Sequence, residues 1–409
     1  MEIRKVRHPS GHELPILLNE HGLPLTIANE WILTRRTLSP NTLLRNLREL
    51  SILFSWFFAL RIDYMACIAG LRMLTEAEIS GSLCERLRLG VKGSQGRLGV
   101  ITYISGERSA VSPHTFNQRL LTVRQFFSWC FRMVMGALAS NDPSLMRLDA
   151  IRKQVDSLLE KQKISSPPEN KSVRKGLREH EIENLKRCVD FRNPEAYGND
   201  EHVRFRNYLI VMVMLYFGLR PGELLCLQVQ DIEIGSISSL RVVRRTPDPI
   251  DMRVPRPRVK RNGRDMIVQD LRFLLLIEEY IEVHREAVME KFGKDHKYLF
   301  VSDEGDPLHG NSVSNYFQII RKKFEGQLPK NLSPKSLRHT YSSQTEHDLA
   351  ERGTPEDERR QILAYLRGDS SLSAQDVYIY GEIVRQATAV QSSYQSSLMK
   401  SFEGYERNA

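Results

Sequence analysis

Four short segments in the second half of the chain contain residues that could bind a phosphate and attack it. The first is Gly-Leu-Arg-Pro-Gly-Glu-Leu-Leu at residues 218–225, in which Arg220 precedes a proline that can begin a helix. The unpaired N–H groups and the dipole at a helix start favour an anion. Arg220 is therefore a candidate phosphate ligand, and a solvated arginine at a corner between two helices is the alternative.

Lysine and arginine occur together in two further segments. Residues 259–268 contain Asn-Gly between extended residues, which predicts a β-hairpin with Lys260 near its tip. Residues 333–340 begin with Ser-Pro, which predicts a helix start, and Lys335 and Arg338 lie three residues apart on one helix face. Two cations on one face can grip one phosphate. Each segment taken alone also fits a solvated charged surface.

The fourth segment, residues 366–378, ends in a tyrosine. Its Gly-Asp-Ser-Ser turn leads to a predicted short helix that presents Tyr378. A phenol has a pKa of about 10, so attack at neutral pH requires a neighbouring cluster of cations that favours the phenolate. A packing role is the alternative for Tyr378, and Tyr380 is the alternative nucleophile.

The order and spacing of the four segments resemble the tyrosine recombinase (phage integrase) family. Gly-Leu-Arg-Pro-Gly-Glu-Leu-Leu is similar to its first-arginine motif. Ser-Pro-Lys-Ser-Leu-Arg-His-Thr is similar to its second-arginine motif, usually His-x-Leu-Arg-His-Thr. The Gly-Asp-Ser-Ser run before the tyrosine is similar to Gly-His-Ser-Ser…Tyr. The resemblance covers residues 177–380, and over residues 26–165 it extends only to the general pattern of a helical core-binding domain.

The resemblance implies a role in DNA strand cleavage for each matching residue. Tyr378 attacks the scissile phosphate and becomes linked to the DNA 3′ end, which releases a 5′-hydroxyl. Arg220 and Arg338 clamp the non-bridging oxygens, where negative charge grows in the transition state. Lys260 protonates the departing 5′-oxygen. The covalent link conserves the bond energy and arginine supplies fixed charge, so no cofactor, no metal and no ATP are expected.

Three further positions follow from the same resemblance. Lys335 stands where the family usually has a histidine, and is expected to assist proton transfer or phosphate binding. Glu223 is expected to orient the first arginine or Lys335, and His339 to buttress the site. Asp369 stands where the family usually has histidine or tryptophan. A carboxylate repels a phosphate unless it pairs with a cation, and Arg367 or one of the catalytic cations is the expected partner.

A near-repeat in the first half of the chain predicts two amphipathic helices. Ser-Pro begins each copy, at Ser39 and at Ser112, and apolar residues follow at helical spacing. Several bases are predicted to lie off the apolar stripe and to contact DNA phosphates, with a solvated face as the alternative. These bases are Arg45, Arg48, Arg119 and Arg124.

The expected fold is mainly α with a small β-sheet or hairpin in the catalytic domain (α+β). A helix over residues 383–402 either packs on its own domain or docks on a neighbouring protomer, and we favour docking. The predicted divisions are an N-terminal arm or small strand pair at 1–25, a helical core-binding domain at 26–163, a Pro/Ser-rich linker at 164–175, an integrase-type catalytic domain at 176–380, and a C-terminal tail at 381–409.

Composition limits the classes of function. The 59 Lys+Arg against 50 Asp+Glu give a net charge of +9, which fits a polyanionic partner. Five widely spaced cysteines without Cys-x-x-Cys argue against a disulfide framework or a zinc module. No signal peptide or membrane span is recognisable. We expect a cytoplasmic protein, nucleoid-associated when bound to DNA.

The main interpretation is a site-specific recombinase or integrase of a mobile genetic element. It is expected to act as a homo-tetramer on double-stranded DNA, with accessory proteins as possible partners and no membrane involved. A type IB topoisomerase is the alternative within the same chemistry. A catalytically decayed DNA-binding protein of the same fold is the alternative from another class, and Asp369 is the feature that favours it.

Overall fold

The computed structural model divides the chain into two compact units, Met1–Glu169 and Asn170–Ala409. The boundary falls inside the predicted linker segment. Among the described residues, no helix is long and apolar enough to cross a membrane. The structure describes residues 1–7, 13–89, 110–165, 176–198, 200–235, 237–246, 248, 250–369 and 377–399, with side chains in the last helix from 386 to 398.

The first unit is a helical bundle with a two-stranded antiparallel sheet. A π-helical turn at Ala77–Leu83 leads directly into the fourth helix. In the sheet Glu2 pairs with Leu18 and Arg7 with Glu13, so the N-terminal segment is a strand pair. Its elements are β1 Glu2–Arg7, β2 Glu13–Leu18, α1 Thr26–Thr34, α2 Pro40–Leu60, α3 Tyr64–Ala69, α4 Cys84–Arg88, α5 Pro113–Gly136 and α6 Ser144–Lys161.

The two helices of the near-repeat, α2 and α5, begin as their sequences predict. The hydroxyl of Ser39 accepts from the N–H of Thr42 at 3.2 Å, and that of Ser112 from the N–H of Thr115 at 3.3 Å. Each cap satisfies an N–H that has no partner within its helix. The apolar faces of both helices pack into one core around stacked aromatic rings, and this is why the bundle forms.

The four bases predicted to face DNA differ in their surroundings. Arg45 and Arg48 are exposed on α2. Arg124 is paired with Asp156 on α6 at 2.9 Å. For Arg119 the prediction of a position off the apolar stripe is wrong, because its buried guanidinium donates to two carbonyls at the end of α4, at 2.7 and 2.8 Å. Arg119 ties α5 to α4.

The second unit is built around α8 (Glu201–Phe217), whose C-terminal part is apolar. Every residue from 208 to 217 is buried, in a core to which other helices and a three-stranded antiparallel sheet also contribute. The mainly helical fold with a small sheet is confirmed. The elements are α7 Glu179–Val189, α8 Glu201–Phe217, α9 Pro221–Leu224, β3 Ile232–Glu233, β4 Ser238–Val242, β5 Arg264–Val268, α10 Leu271–Glu279, α11 Glu286–Lys291, α12 Gly310–Lys323, α13 Pro334–Glu351, α14 Glu356–Leu366 and α15 Val377–Met399.

The predicted Asn-Gly hairpin is wrong. Strand β4 pairs with β5, and Val242 lies opposite Arg264, so Asn262-Gly263 lead into β5 at the end of a long connection over residues 243–263. Arg253 anchors that connection, because its buried guanidinium pairs with Asp251 at 3.0 Å and donates to the carbonyls of Leu225 and Leu308 at 2.9 and 3.1 Å. Lys260 consequently lies in the connection before β5, and the short-range turn signal is overridden by this tertiary anchor.

The C-terminal helix packs on its own unit. In α15, Ala387, Val390 and Tyr394 are buried against α13 and α14, and the Tyr394 hydroxyl donates to the carbonyl of Leu215 at 3.0 Å. At the other end, Lys186 donates to the carbonyl of Leu398 at 2.5 Å. The apolar stripe thus finds a partner surface within the same chain, as in the alternative of packing on its own domain, and docking on a neighbouring protomer stays a prediction.

Candidate phosphate-binding site

The second arginine lies near the start of α13. Ser333 caps this helix, and its hydroxyl accepts from the N–H of Ser336 at 3.3 Å. Arg338 follows in the second turn, where its side chain is 9% exposed. Its two terminal nitrogens donate to the carbonyls of Gly218 and Arg367, both at 2.7 Å. The guanidinium is therefore held between two other parts of the unit.

The first arginine occupies the corner between α8 and α9. Helix α8 ends at Gly218, whose φ of +58° is the left-handed conformation that glycine adopts most readily. Arg220 caps α9, and its Nη1 donates to Glu223 at 2.8 Å and to the carbonyl of Arg367 at 3.0 Å. The two arginines thus meet at one shared carbonyl, that of Arg367.

Glu223 is the buried acceptor beneath the arginines. Its side chain is 1% exposed and lies 3.8 Å from Nη1 of Arg338. It also accepts from Arg264 at the start of β5 at 3.1 Å, and the Arg264 side chain is fully buried. Glu223 therefore pairs with arginines, and not with Lys335, among the described contacts. Sequence reasoning missed the role of Arg264, because nothing local distinguishes it from the other bases of its segment.

The end of α14 brings Asp369 to the arginines. Gly368 has a φ of +60°, and this turn directs the chain back toward the site. The Asp369 carboxylate accepts from Nη2 of Arg220 and lies 3.7 Å from Nη2 of Arg338. It lies 3.1 Å from Nε of Arg367. Both kinds of partner expected for this carboxylate are therefore present.

The remaining predicted residues lie at different distances from this cluster. Lys260 and Lys335 are exposed, and neither forms an ion pair with the described residues. His339 is half-buried in α13. Tyr378 and Tyr380 fall in the first turn of α15, but their side chains lie outside the described part of the chain.

The electrostatics keep Glu223, Asp369 and Arg338 charged at neutral pH. Burial raises the pKa of Glu223, but Arg264 and Arg220 outweigh it and hold that pKa below its ordinary value. Burial likewise opposes ionisation of Asp369, yet Arg220 holds the pKa of that carboxyl below its usual range. Burial, with the neighbouring positive charge of Arg220, lowers the pKa of Arg338 to about 10. The site is thus a positive cluster suited to an anion.

Replacing Glu223 by alanine is expected to lower the free energy of unfolding of the second unit by about 3–5 kcal/mol, because a buried arginine would lose its countercharge. Glu346→Ala is the matched control. It removes an ion pair to Arg359, but this carboxylate is 41% exposed, so the expected loss is below about 1 kcal/mol. Trp31, Trp56 and Trp129 all lie in the first unit. Tryptophan fluorescence would therefore report on the first unit, so the stability of the second unit is measured by native-state hydrogen exchange of the α8 amides. Equal losses of unfolding free energy in both variants would contradict the expectation.

The same carboxylate gives the pH dependence a sign. The folded pKa of Glu223 is lowered. Its stabilisation is therefore complete above the unfolded value of about 4.3, and is lost as pH falls through the folded pKa. The difference in unfolding free energy between the wild type and Glu223→Ala should therefore be largest at pH 7 and shrink as the pH falls through the folded pKa of Glu223.

Gly368→Ala tests whether the turn after α14 sets the site geometry. A Cβ at this position would lie 2.7 Å from Nη1 of Arg264 and 3.0 Å from the carbonyl of Asn262. Gly353 also has a positive φ, of +74°, but a Cβ there meets nothing within 4 Å. We expect Gly353→Ala to cost only the backbone strain, about 1–2 kcal/mol. Gly368→Ala should lower the free energy of unfolding by more than this; equal losses in the two variants would contradict the expectation.

Metal binding has no donor set in the described part of the chain. No three His, Cys, Asp or Glu side chains there are grouped so that they could hold an ion. The polar side chains that converge at the site are mainly guanidinium groups, and these bind anions.

Residues 173–370 match the model of the phage integrase family. A tyrosine recombinase XerC from Rickettsia canadensis (strain McKiel) is 23% identical over 296 residues, covering 69% of this chain and 85% of the relative. A tyrosine recombinase XerD from Proteus mirabilis is 23% identical over 350 residues, covering 84% and 83%. Residues 173–370 are thus a domain of the phage integrase family.

Two solved structures are also similar at low identity. The Tn1549 transposon integrase in complex with circular intermediate DNA gives a TM-score of 0.46 at 16% identity, covering 86% of this chain and 93% of that one. The XerH site-specific recombinase in a post-cleavage complex with palindromic difH substrate gives a TM-score of 0.41 at 15% identity, covering 89% and 94%.

Proposed function

We propose that this protein is a site-specific DNA recombinase that cleaves and rejoins strands through a 3′-phosphotyrosine link at Tyr378. One observation carries the proposal. Arg220 and Arg338 both donate to the carbonyl of Arg367, which lies 147 and 29 residues away from them in the chain. The fold thus gathers two distant arginines next to the segment that leads to Tyr378.

The arginines supply the electrostatic part of the reaction. As the Tyr378 oxygen attacks phosphorus, negative charge grows on the two non-bridging oxygens, and Arg220 and Arg338 stabilise it. Glu223 fixes Arg220 from beneath, because it accepts from both the backbone and the side chain of that residue at 3.0 and 2.8 Å. The arginines are therefore preorganised before substrate arrives.

Proton transfer falls to the exposed lysines. The bond from phosphorus to the 5′-oxygen breaks, and Lys260 gives this oxygen a proton, so that a 5′-hydroxyl leaves. Lys335 assists proton transfer or binds the phosphate. In the second half of the reaction a 5′-hydroxyl from another strand attacks the phosphotyrosine and returns its proton to Lys260, and Tyr378 departs as the phenolate. Bond energy is conserved, so neither ATP nor a metal enters the balance.

The first unit holds the DNA in this proposal. The exposed bases Arg45 and Arg48 on α2 contact phosphates. Arg119 does not contact DNA in this proposal, because its guanidinium is buried and bonded to the end of α4. Arg124 pairs with both Asp156 and Glu160, and it reaches a phosphate only by exchanging these partners. Recombination of two duplexes further requires four protomers, and a homo-tetramer on DNA is part of the proposal.

A second candidate function is a DNA-binding protein of the same fold that no longer cleaves. The observation that favours it is the Asp369 carboxylate, which already occupies one arm of Arg220 and lies 3.7 Å from Nη2 of Arg338. The two candidates predict different products from the same DNA.

The test uses supercoiled plasmids that carry the ends of the protein's own genetic element, incubated without metal or ATP. Exchange of flanking sequences between two plasmids is the expected result. Relaxation without exchange would indicate a type IB topoisomerase. Salt-sensitive binding without nicking would indicate the decayed protein and overturn the proposal.

A further inference from the structure

The carboxylate of Asp369 lies among the cations that the proposed function assigns to the scissile phosphate. It accepts from Nη2 of Arg220 and lies 3.7 Å from Nη2 of Arg338. A carboxylate and a phosphodiester each present two oxygens that share one negative charge, and both match the fork of a guanidinium. Asp369 therefore occupies one arm of Arg220 and faces Arg338, and these are the two groups that the phosphate requires.

We infer that Asp369 closes the phosphate site in the DNA-free protein, and that its carboxylate must leave Arg220 and Arg338 before the scissile phosphate can bind. This inference rests on the proposed function, because it takes those two arginines as the phosphate ligands. Asp369 thereby has a regulatory role at a position where the family usually has histidine or tryptophan.

Two further cations can retain the carboxylate after it is displaced. Nε of Arg367 lies 3.1 Å from one Asp369 oxygen, and Nε of Arg261 lies 3.7 Å from the other. Arg261 also donates to the backbone carbonyl of Asp369 at 3.1 Å, which fixes the main chain at this residue. A rotation of the side chain is thus sufficient to open the site, and the carboxylate remains paired throughout.

The charge balance explains why a closing group stabilises the empty site. Within the described cluster, five guanidinium groups face two carboxylates, which belong to Glu223 and Asp369. Glu223 is committed to the buried Arg264 as well as to Arg220. Only Asp369, which is half-buried, is placed to exchange with an incoming anion. Its lowered pKa keeps it charged at neutral pH, so a DNA phosphate and not a proton must displace it.

A small anion tests the closed site without any DNA chemistry. The affinity of inorganic phosphate for the full chain would be measured by calorimetry at low ionic strength, in the wild type, in Asp369→Asn and in Asp369→Ala. Asp357→Asn is the matched control for net charge, because this side chain is 92% exposed on α14. We expect both Asp369 variants to bind phosphate about tenfold more tightly or better, and the control to equal the wild type.

Thermal unfolding gives a second readout from the same samples. An anion that binds the folded state raises the melting temperature, so phosphate should stabilise the Asp369 variants more than the wild type. Two different substitutions keep the test valid if one of them does not fold. Equal phosphate affinities in wild type and variants would overturn the inference.

Single-turnover cleavage of nicked DNA separates this inference from the proposed function. We expect Asp369→Asn to cleave about tenfold faster than the wild type and Asp357→Asn to match it. Slower cleavage by Asp369→Asn would overturn the closing role and leave the recombinase proposal standing. Tighter phosphate binding without cleavage by any form would support the closed site and refute the recombinase.

Discussion

Tyr378→Phe is expected to eliminate the covalent protein–DNA adduct while DNA binding stays at the wild-type level. The substitution removes the one oxygen that attacks phosphorus and keeps the ring, so the loss should be complete within detection. Tyr378 is the second residue of α15 and lies in the first turn of that helix. The measurement is a denaturing gel of labelled DNA, with binding followed separately by electrophoretic mobility.

The matched control for this substitution is Tyr380→Phe, in the same helical turn. Residues two apart on a helix do not share a face, so the two tyrosines are not interchangeable with respect to one phosphate. We expect Tyr380→Phe to retain the adduct. An adduct that persists in Tyr378→Phe and disappears in Tyr380→Phe would transfer the nucleophile to Tyr380.

Arg338→Ala is expected to slow DNA cleavage by about 100- to 1000-fold, a loss comparable with that of a donor to a developing oxyanion. The buried guanidinium holds a fixed position between the carbonyls of Gly218 and Arg367, so it meets the transition state without reorganisation. The rate would be measured in a single turnover on nicked DNA at saturating protein. Arg220→Ala should behave similarly.

Two variants separate catalysis from structure in this experiment. Arg359 on α14 is partly buried, pairs with Glu346 at 2.9 Å and donates to the carbonyl of Thr354 at 2.7 Å. Arg359→Ala thus removes a comparable arginine outside the site, and should leave the cleavage rate near that of the wild type. Arg338→Lys keeps the charge but loses the fork, so an intermediate rate is expected. A wild-type rate in Arg338→Ala would refute its role as phosphate ligand.

The features that sequence predicts well are local ones. Ser39 and Ser112 predict the starts of α2 and α5 correctly, because a hydroxyl cap and a following proline act within one helical turn. The fully apolar run of α8 likewise predicts a buried helix whatever surrounds it. For the same reason, the positions of Arg220 and Arg338 at the starts of helices follow from their own segments.

The features that sequence misses depend on distant partners. Arg119 reaches carbonyls 32 and 30 residues away, so its position in the helical pattern does not reveal that it is buried. Arg264 belongs to the site because it donates to Glu223, which lies 41 residues earlier in the chain. The stripe of α15 predicts that something covers it, but the covering surface on α13 and α14 is a property of the folded unit.

Covalent trapping by the wild-type protein tests the central claim most directly. DNA from the ends of its genetic element would be nicked next to candidate junctions, so that the released 5′-hydroxyl fragment diffuses away and cleavage cannot reverse. We expect, without metal or ATP, an adduct in which the DNA 3′ phosphate is linked to the peptide that contains Tyr378. Salt-sensitive binding of the same DNA without any adduct would contradict it.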